Sequence, residues 1–238
     1  MSKMKYAAIL AGGVGKRMAS SVPKQFIALH GEAIIVRTIR RILTSGLFDV
    51  LVIAIHQDWR SHLESLIEQS GMNRSPIHIT SGGRERLDSI QNTLVYIESS
   101  FAVQEDDDIV IFDAVRPFVP VSMMQASLNA LQQHTAVVAA LPVVDTMLWI
   151  EDGDVVTDMP ARSHLFHGQA PDSFKLPVLS NALRNLSEDE RKRITGTAQI
   201  CMLKGIPIHT VPGDPRNIKI TTPFDIQLGE LLCRMEEA

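Results

Sequence analysis

A chain of 238 residues, 45% apolar and 21% charged, has the material for a full α/β core without a disulfide or metal staple. Its net charge of −4 excludes a general nucleic-acid binder, so any basic cluster is a local device. Two isolated cysteines, Cys201 and Cys233, no apolar run of the ~18–20 residues a membrane span needs, and no signal-peptide cleavage site after Leu10 predict a cytoplasmic protein with no membrane partner.

The first element is "YAAIL" (Tyr6–Leu10), a short apolar run that fits a strand buried on both faces. It breaks into the stretch "AGGVGKRMASSVPKQF". Apolar residues at helical spacing follow at Ile34–Leu43, then a buried strand at Val50–Ile55, a helix at Trp59–Glu68, a strand at Ile77–Ile79 and a helix at Leu87–Ile97. Asp108–Phe112 and Ala136–Leu141 read as two more strands, with a helix at Met123–Leu131 between them. This alternation predicts an α/β fold with a mostly parallel sheet covered on both sides. Ligands are then expected beyond the carboxyl ends of the strands, where the glycine stretch falls. The pattern changes at Val143–Pro160, two extended runs about the turn signal "EDGD", which predict a projecting β-hairpin arm at about 142–165. A lone hairpin is marginal in water, so this one is expected to rest on something, a second subunit being one candidate. A helical stretch, a short strand near "IPIHTV" and a helix opening at Pro223 complete the chain. No repeat or linker divides it, and a single domain, 1–238, is expected.

The chemistry gathers around the glycines. They bring backbone N–H groups up to an anion with no Cβ in the way. Gly12, Gly13 and Gly15 do not form a Walker A loop, because Leu10 stands where its first glycine belongs and Arg17 where Ser or Thr should follow the lysine. Met18 likewise spoils G-x-G-x-x-G. Alone, the glycines read equally as a structural turn. The charges decide: Arg17 and Lys24 flanking one loop repel each other unless a polyanion sits between them, which marks a polyphosphate site.

Three further stretches point to the same sheet edge. "SGGRERLDSI" (Ser81–Ile90) opens a helix after a glycine pair, as a base- or phosphate-contacting loop does, or as a plain strand–helix turn does. "FDAVRPF" sets Asp113 and Arg116 just past a buried strand. Asp113 there would hold a divalent cation or substrate hydroxyls; the rival reading is a buried Asp–Arg pair. Lys219 in "NIKITTPFD" falls near the start of the last helix, beside the positive end of its dipole.

Taken in order, "AILAGGVGKRM…PKQF", "GGRERLDSI", "FDAVRPF", Asp145–Thr146, "GQAPDSF" and "NIKITTPFD" resemble one cytidylyltransferase family over about Lys5 to Leu231. Its members act on 2-C-methyl-D-erythritol 4-phosphate or on ribitol 5-phosphate. The resemblance implies a Rossmann-like nucleotidyltransferase fold, a homodimer built through the arms, CTP and a small phosphorylated polyol as partners, Mg²⁺ bound with CTP, and release of pyrophosphate. It implies catalytic roles for Arg17, Lys24 and Lys219. Ala11, Gly12, Gly13, Gly15, Gly83 and Ser89 would bind the nucleotide. Asp113, Arg116, Thr146 and Arg162 would bind the acceptor, the last two from the partner subunit's arm, with Asp113 also near the metal.

The chain departs from the family pattern at three positions. Ala170 and Asp172 stand where relatives usually read "Q-T-P-Q", and Gly196 where they usually read "T-D". None removes a catalytic cation, so transfer of CMP from CTP to a polyol phosphate is expected. "AILAGG", "DAVRPF", "HQDW", "DSIQN" and "FHGQAPDSF" resemble the ribitol 5-phosphate branch more closely. The methylerythritol 4-phosphate enzyme of isoprenoid synthesis is the alternative. A catalytically idle nucleotide-binding paralogue is the alternative of another class.

Overall fold

The computed structural model describes residues 3–13 and 22–237. Strand β1 (Lys5–Ala11) comes first, and beyond the glycines a short pair, β2 (Ala28–Leu29) and β3 (Glu32–Ala33), leads into α1 (Ile34–Thr44). There follow β4 (Val50–Ile55), α2 (Arg60–Gln69), β5 (Ile77–Ser81), α3 (Arg86–Ser100), β6 (Asp108–Asp113), α4 (Val121–Ala130) and β7 (Ala136–Pro142). The last part holds β8 (Phe166–Lys175), α5 (Leu176–Arg184), α6 (Glu188–Arg193), α7 (Ala198–Leu203), β9 (His209–Pro212) and α8 (Pro223–Glu237).

Seven strands form one sheet in the order β5-β4-β1-β6-β8-β7-β9. All neighbours run parallel except β8, which is antiparallel to both β6 and β7. Alternate residues of the strands feed two cores. Ile9, Ile53 and Phe112 pack toward α1, α2 and α4, whereas Tyr6, Val52, Ile111 and Phe174 pack toward α3, α5 and α7. This two-sided burial is why β4 and the Ile109–Phe112 centre of β6 read as unbroken apolar runs. Each fully buried Ile or Leu contributes about 1.5–3 kcal/mol. A third cluster of Leu29, Ile34, Val115, Phe118, Ile220 and Cys233 seats α8 beside the segment that leaves β6.

Two expectations are corrected. First, "FHGQAPDSFK" is a ten-residue strand, β8, lying between β6 and β7. Its polar residues and Pro171 argue against a strand in sequence, since proline cannot donate to a ladder. The ladder avoids the conflict with a bulge: Asp172 pairs with Val138 and Gln169 with Ala139, leaving Ala170 and Pro171 between them. The Ala170–Pro171 peptide is cis. Second, the arm reverses as a hairpin does but is joined at few points rather than along a ladder. The bond from Val143 N–H to the Leu165 carbonyl closes its base at 3.1 Å. Beyond that it holds one antiparallel bridge, Trp149–Asp158. Gly153, at φ +68°, reverses the chain as "EDGD" predicts, but the flanking Val144, Leu148, Ile150 and Val155 are exposed and have no sheet to pack on. Among the described residues no helix is long and apolar enough to cross a membrane.

Candidate active site

The parallel registers align four strand ends in a row. Ala11 stands opposite Ile55, Ile55 opposite Ser81, and Leu10 opposite Asp113. Each strand therefore delivers its following residues to the same edge, where a cleft opens. Ala11, Gly12, Gly13, Lys24, Gly83, Ser89, Asp113 and Lys219 all line it. Gly15 and Arg17 lie outside the described residues. Thr146 and Arg162 are not among the lining residues; both sit on the exposed arm, where Arg162 Nη1 donates to the Val144 carbonyl at 3.0 Å.

Two glycine positions, 12 and 83, meet through Ser89. Its hydroxyl, buried at the first turn of α3, accepts from Gly83 N–H at 3.0 Å and donates to the Glu85 carbonyl at 3.2 Å. A Cβ on Gly12 would come within 3.0 Å of the same oxygen, and one on Gly83 would overlap Asp88 Cβ. Glycine is thus required at 83 by close approach. A capping box between Glu85 and Asp88 starts α3 and fixes the loop above it.

The far wall is ionic. Asp113, 6% exposed, accepts from Arg86 Nη1 at Oδ1 (2.8 Å), while its Oδ2 faces Arg116 Nε (3.2 Å) and Lys219 Nζ (3.1 Å). Burial alone would raise the Asp113 pKa, but Arg86, Lys219 and Arg116 outweigh it and hold the carboxyl below the usual carboxylate range. Arg116 is turned inward, donating from Nη1 to the Asn217 carbonyl at 2.6 Å, and Asn217 Nδ2 donates to the Ala170 carbonyl at 2.7 Å. These bonds tie "NIK" to "DAVRP" and to the β8 bulge.

This arrangement corrects two expectations. Asp113 does not fit a divalent cation, because both its oxygens already face cations. Among the described residues no group of three or more His, Cys, Asp or Glu could hold a metal ion. The amino end of α8 is not an anion site either: Asp225 fills it, accepting from Thr221 N–H at 2.8 Å and Thr222 N–H at 2.7 Å. Lys219 turns to Asp113 instead.

Sequence reasoning missed Arg86, Thr197 and the role of Asp172. Arg86 lay inside a quoted motif, three residues before Ser89 on the same helix, which was the available signal. Its Nη2 donates to Thr197 Oγ1 at 3.4 Å, and its buried Nε has no hydrogen-bond partner among the described residues. Asp172 stands opposite Ile111 in the β6–β8 register, so it projects from the same sheet face as Asp113. Thr197 stands beside it, so two departures from the family pattern, Asp172 and Gly196, meet at one point. Burial and the nearby Asp113 push its carboxyl up to about 6, against the pull of Arg86, Arg116 and Thr197.

Chemically, the cleft offers bare backbone on one side and a set of cations around the ionised Asp113 on the other. It is built to receive anions. The family model for IspD, 2-C-methyl-D-erythritol 4-phosphate cytidylyltransferase, matches residues 6–235. A ribitol-5-phosphate cytidylyltransferase of Lactiplantibacillus plantarum is 34% identical over 230 residues, covering 96% of this chain and 98% of its own. The structure of the 2-C-methyl-D-erythritol 4-phosphate cytidylyltransferase of Francisella tularensis superposes with a TM-score of 0.81 at 26% identity, covering 97% of this chain and 99% of its own. The 4-diphosphocytidyl-2C-methyl-D-erythritol synthase of Anaerococcus prevotii shares the fold, with a TM-score of 0.81, 24% identity and coverage of 98% and 96%.

Proposed function

Because the chain belongs to the 2-C-methyl-D-erythritol 4-phosphate cytidylyltransferase family and is a CTP-dependent nucleotidyltransferase, we propose that its acceptor is D-ribitol 5-phosphate. A phosphate oxygen of the acceptor attacks the α-phosphorus of CTP, a new P–O–P bond forms, the bond to the β-phosphate breaks, and pyrophosphate leaves. The second pKa of a phosphate monoester is about 6, so the nucleophile is already a dianion at neutral pH and needs no general base. Asp113 is not offered as one, since its oxygens are committed to Arg86, Arg116 and Lys219. The work is positioning and charge stabilisation. Lys24 and Lys219 supply cations at the cleft, the Gly12–Gly13 backbone receives phosphate oxygens, and Gly83 with Ser89 shapes the base end.

Mg²⁺ enters this reading on the triphosphate, not on Asp113. Thr146 and Arg162 lie on the arm and serve the partner subunit's acceptor site. The exposed Val144, Trp149 and Met159 of that arm support a homodimer, and the reduced, buried cysteines support the cytoplasm as its place of action.

The acceptor assignment rests on one observation, the 34% identity to a ribitol-5-phosphate enzyme over nearly the whole chain. The Francisella structure favours a second reading, with methylerythritol 4-phosphate as acceptor. Pyrophosphate release with CTP and Mg²⁺, run side by side on the two acceptors, tests this. A kcat/KM at least tenfold higher on ribitol 5-phosphate is expected, and the reverse ratio refutes the assignment.

A further inference from the structure

Lys24 reaches the cleft from a short turn, Lys24–Phe26, that no sheet strand holds. Its neighbour Gln25 is 4% exposed, and a buried amide needs a partner. Gln25 Nε2 donates to the Ala11 carbonyl at 2.9 Å. Ala11 is the last residue of β1 and pairs with Ile55 in the ladder. The bond therefore joins the two ends of the glycine stretch, fastening the turn to a strand that is itself held on both sides. Phe26 anchors the other flank, stacked on Trp59 with ring centroids 5.2 Å apart and set edge-on to His62. Within the turn, Phe26 N–H donates to the Pro23 carbonyl at 2.9 Å. The backbone of Lys24 is thus clamped between a side-chain hydrogen bond to β1 and an aromatic stack on Trp59, which precedes α2.

We propose that Gln25 is a positioning residue that acts through Lys24, pinning the turn to the carboxyl end of β1 so that the ammonium group meets the nucleotide phosphates at a fixed reach. Its catalytic consequence rests on the reading of Lys24 given above. A displacement of about 1 Å at a catalytic group is enough to cost roughly 100-fold in rate. Gln25→Met keeps the bulk and removes the donor, and Gln25→Ala removes both.

The test is a double-mutant cycle on Gln25→Met, Lys24→Ala and the pair, with Gln25→Ala alongside, read in two ways: kcat for pyrophosphate release, and CTP affinity by calorimetry. Gln25→Met should lower kcat about 10–100-fold and change the acceptor KM less than threefold. It should weaken CTP binding in the wild-type background and leave it unchanged where Lys24 is already Ala. Gln25→Ala should match Gln25→Met. Near-normal kcat in Gln25→Met overturns the proposal, as does an equal loss of CTP affinity with and without Lys24. If the wild type turns over neither acceptor, the functional reading falls, and the CTP cycle still decides the role of Gln25.

Discussion

Replacing Asp172 with Asn removes a carboxylate that the fold prefers neutral, and the consequence for stability can be worked with its sign. Burial and the proximity of Asp113 raise this group from its ordinary 3.8 to about 6. A raised acid contributes stability that is fully present below its ordinary value and is lost as pH climbs through about 6. At 1.36 kcal/mol per pH unit the whole loss is about 3 kcal/mol. Asn copies the shape of the protonated acid, so D172N and the wild type should unfold in urea with equal free energies near pH 4. By pH 7.5 the variant should be the more stable by that amount. The histidines and other carboxylates cancel in the difference between the two proteins. A gap that does not change between pH 4 and 7.5 refutes the reasoning, because it means that Asp172 does not titrate at a cost to the fold.

Asp113→Asn should act in the opposite sense, costing about 3–5 kcal/mol at pH 7 by leaving three cations without their carboxylate. Because the Asp113 pKa is lowered, that contribution is fully present above its ordinary value of 3.8 and is lost only as pH falls from there through the lowered folded-state value, so denaturant titrations should show the cost in full at pH 7 and only the beginning of its decline at pH 3. Gly83→Ala should destabilise by at least ~1–3 kcal/mol and weaken CTP binding, read by thermal unfolding and calorimetry, since its Cβ would collide with Asp88. Lys219→Ala should lower kcat about 100- to 1000-fold while the unfolding midpoint stays near that of the wild type, because the side chain is 41% exposed.

The sheet was legible in sequence wherever both faces of a strand are covered. Val50–Ile55 and Ile109–Phe112 are apolar without interruption because neither face meets water, and helices alternate with them at the expected spacing. Strand β8 was hidden for the converse reason. Its Gln169 bonds the Asp214 backbone, its Asp172 faces the ionic wall, and Pro171 contradicts a strand until the bulge removes its partner. The arm misled by pattern, since a turn signal between extended runs does not supply the surface that would pair them. In the site, the glycines, Lys24, Asp113 and Lys219 were legible because charge and bare backbone stand out locally. The network of Arg86, Asp172 and Thr197 was not, because it is assembled from α3, β8 and the start of α7, and no sequence window spans it.

The antiparallel strand of the seven-stranded sheet also sets an order of events during synthesis. Strand β6 pairs with β1 on one side as soon as both exist, but its other edge waits for β8. At about 5–20 residues per second, the ~60 residues between the end of β6 and the end of β8 take roughly 3–12 s to emerge. For that interval the nascent chain displays one of its most apolar strands, "IVIF", as an open edge. Slow translation or premature termination between the two strands would therefore leave a species prone to pair with its own kind.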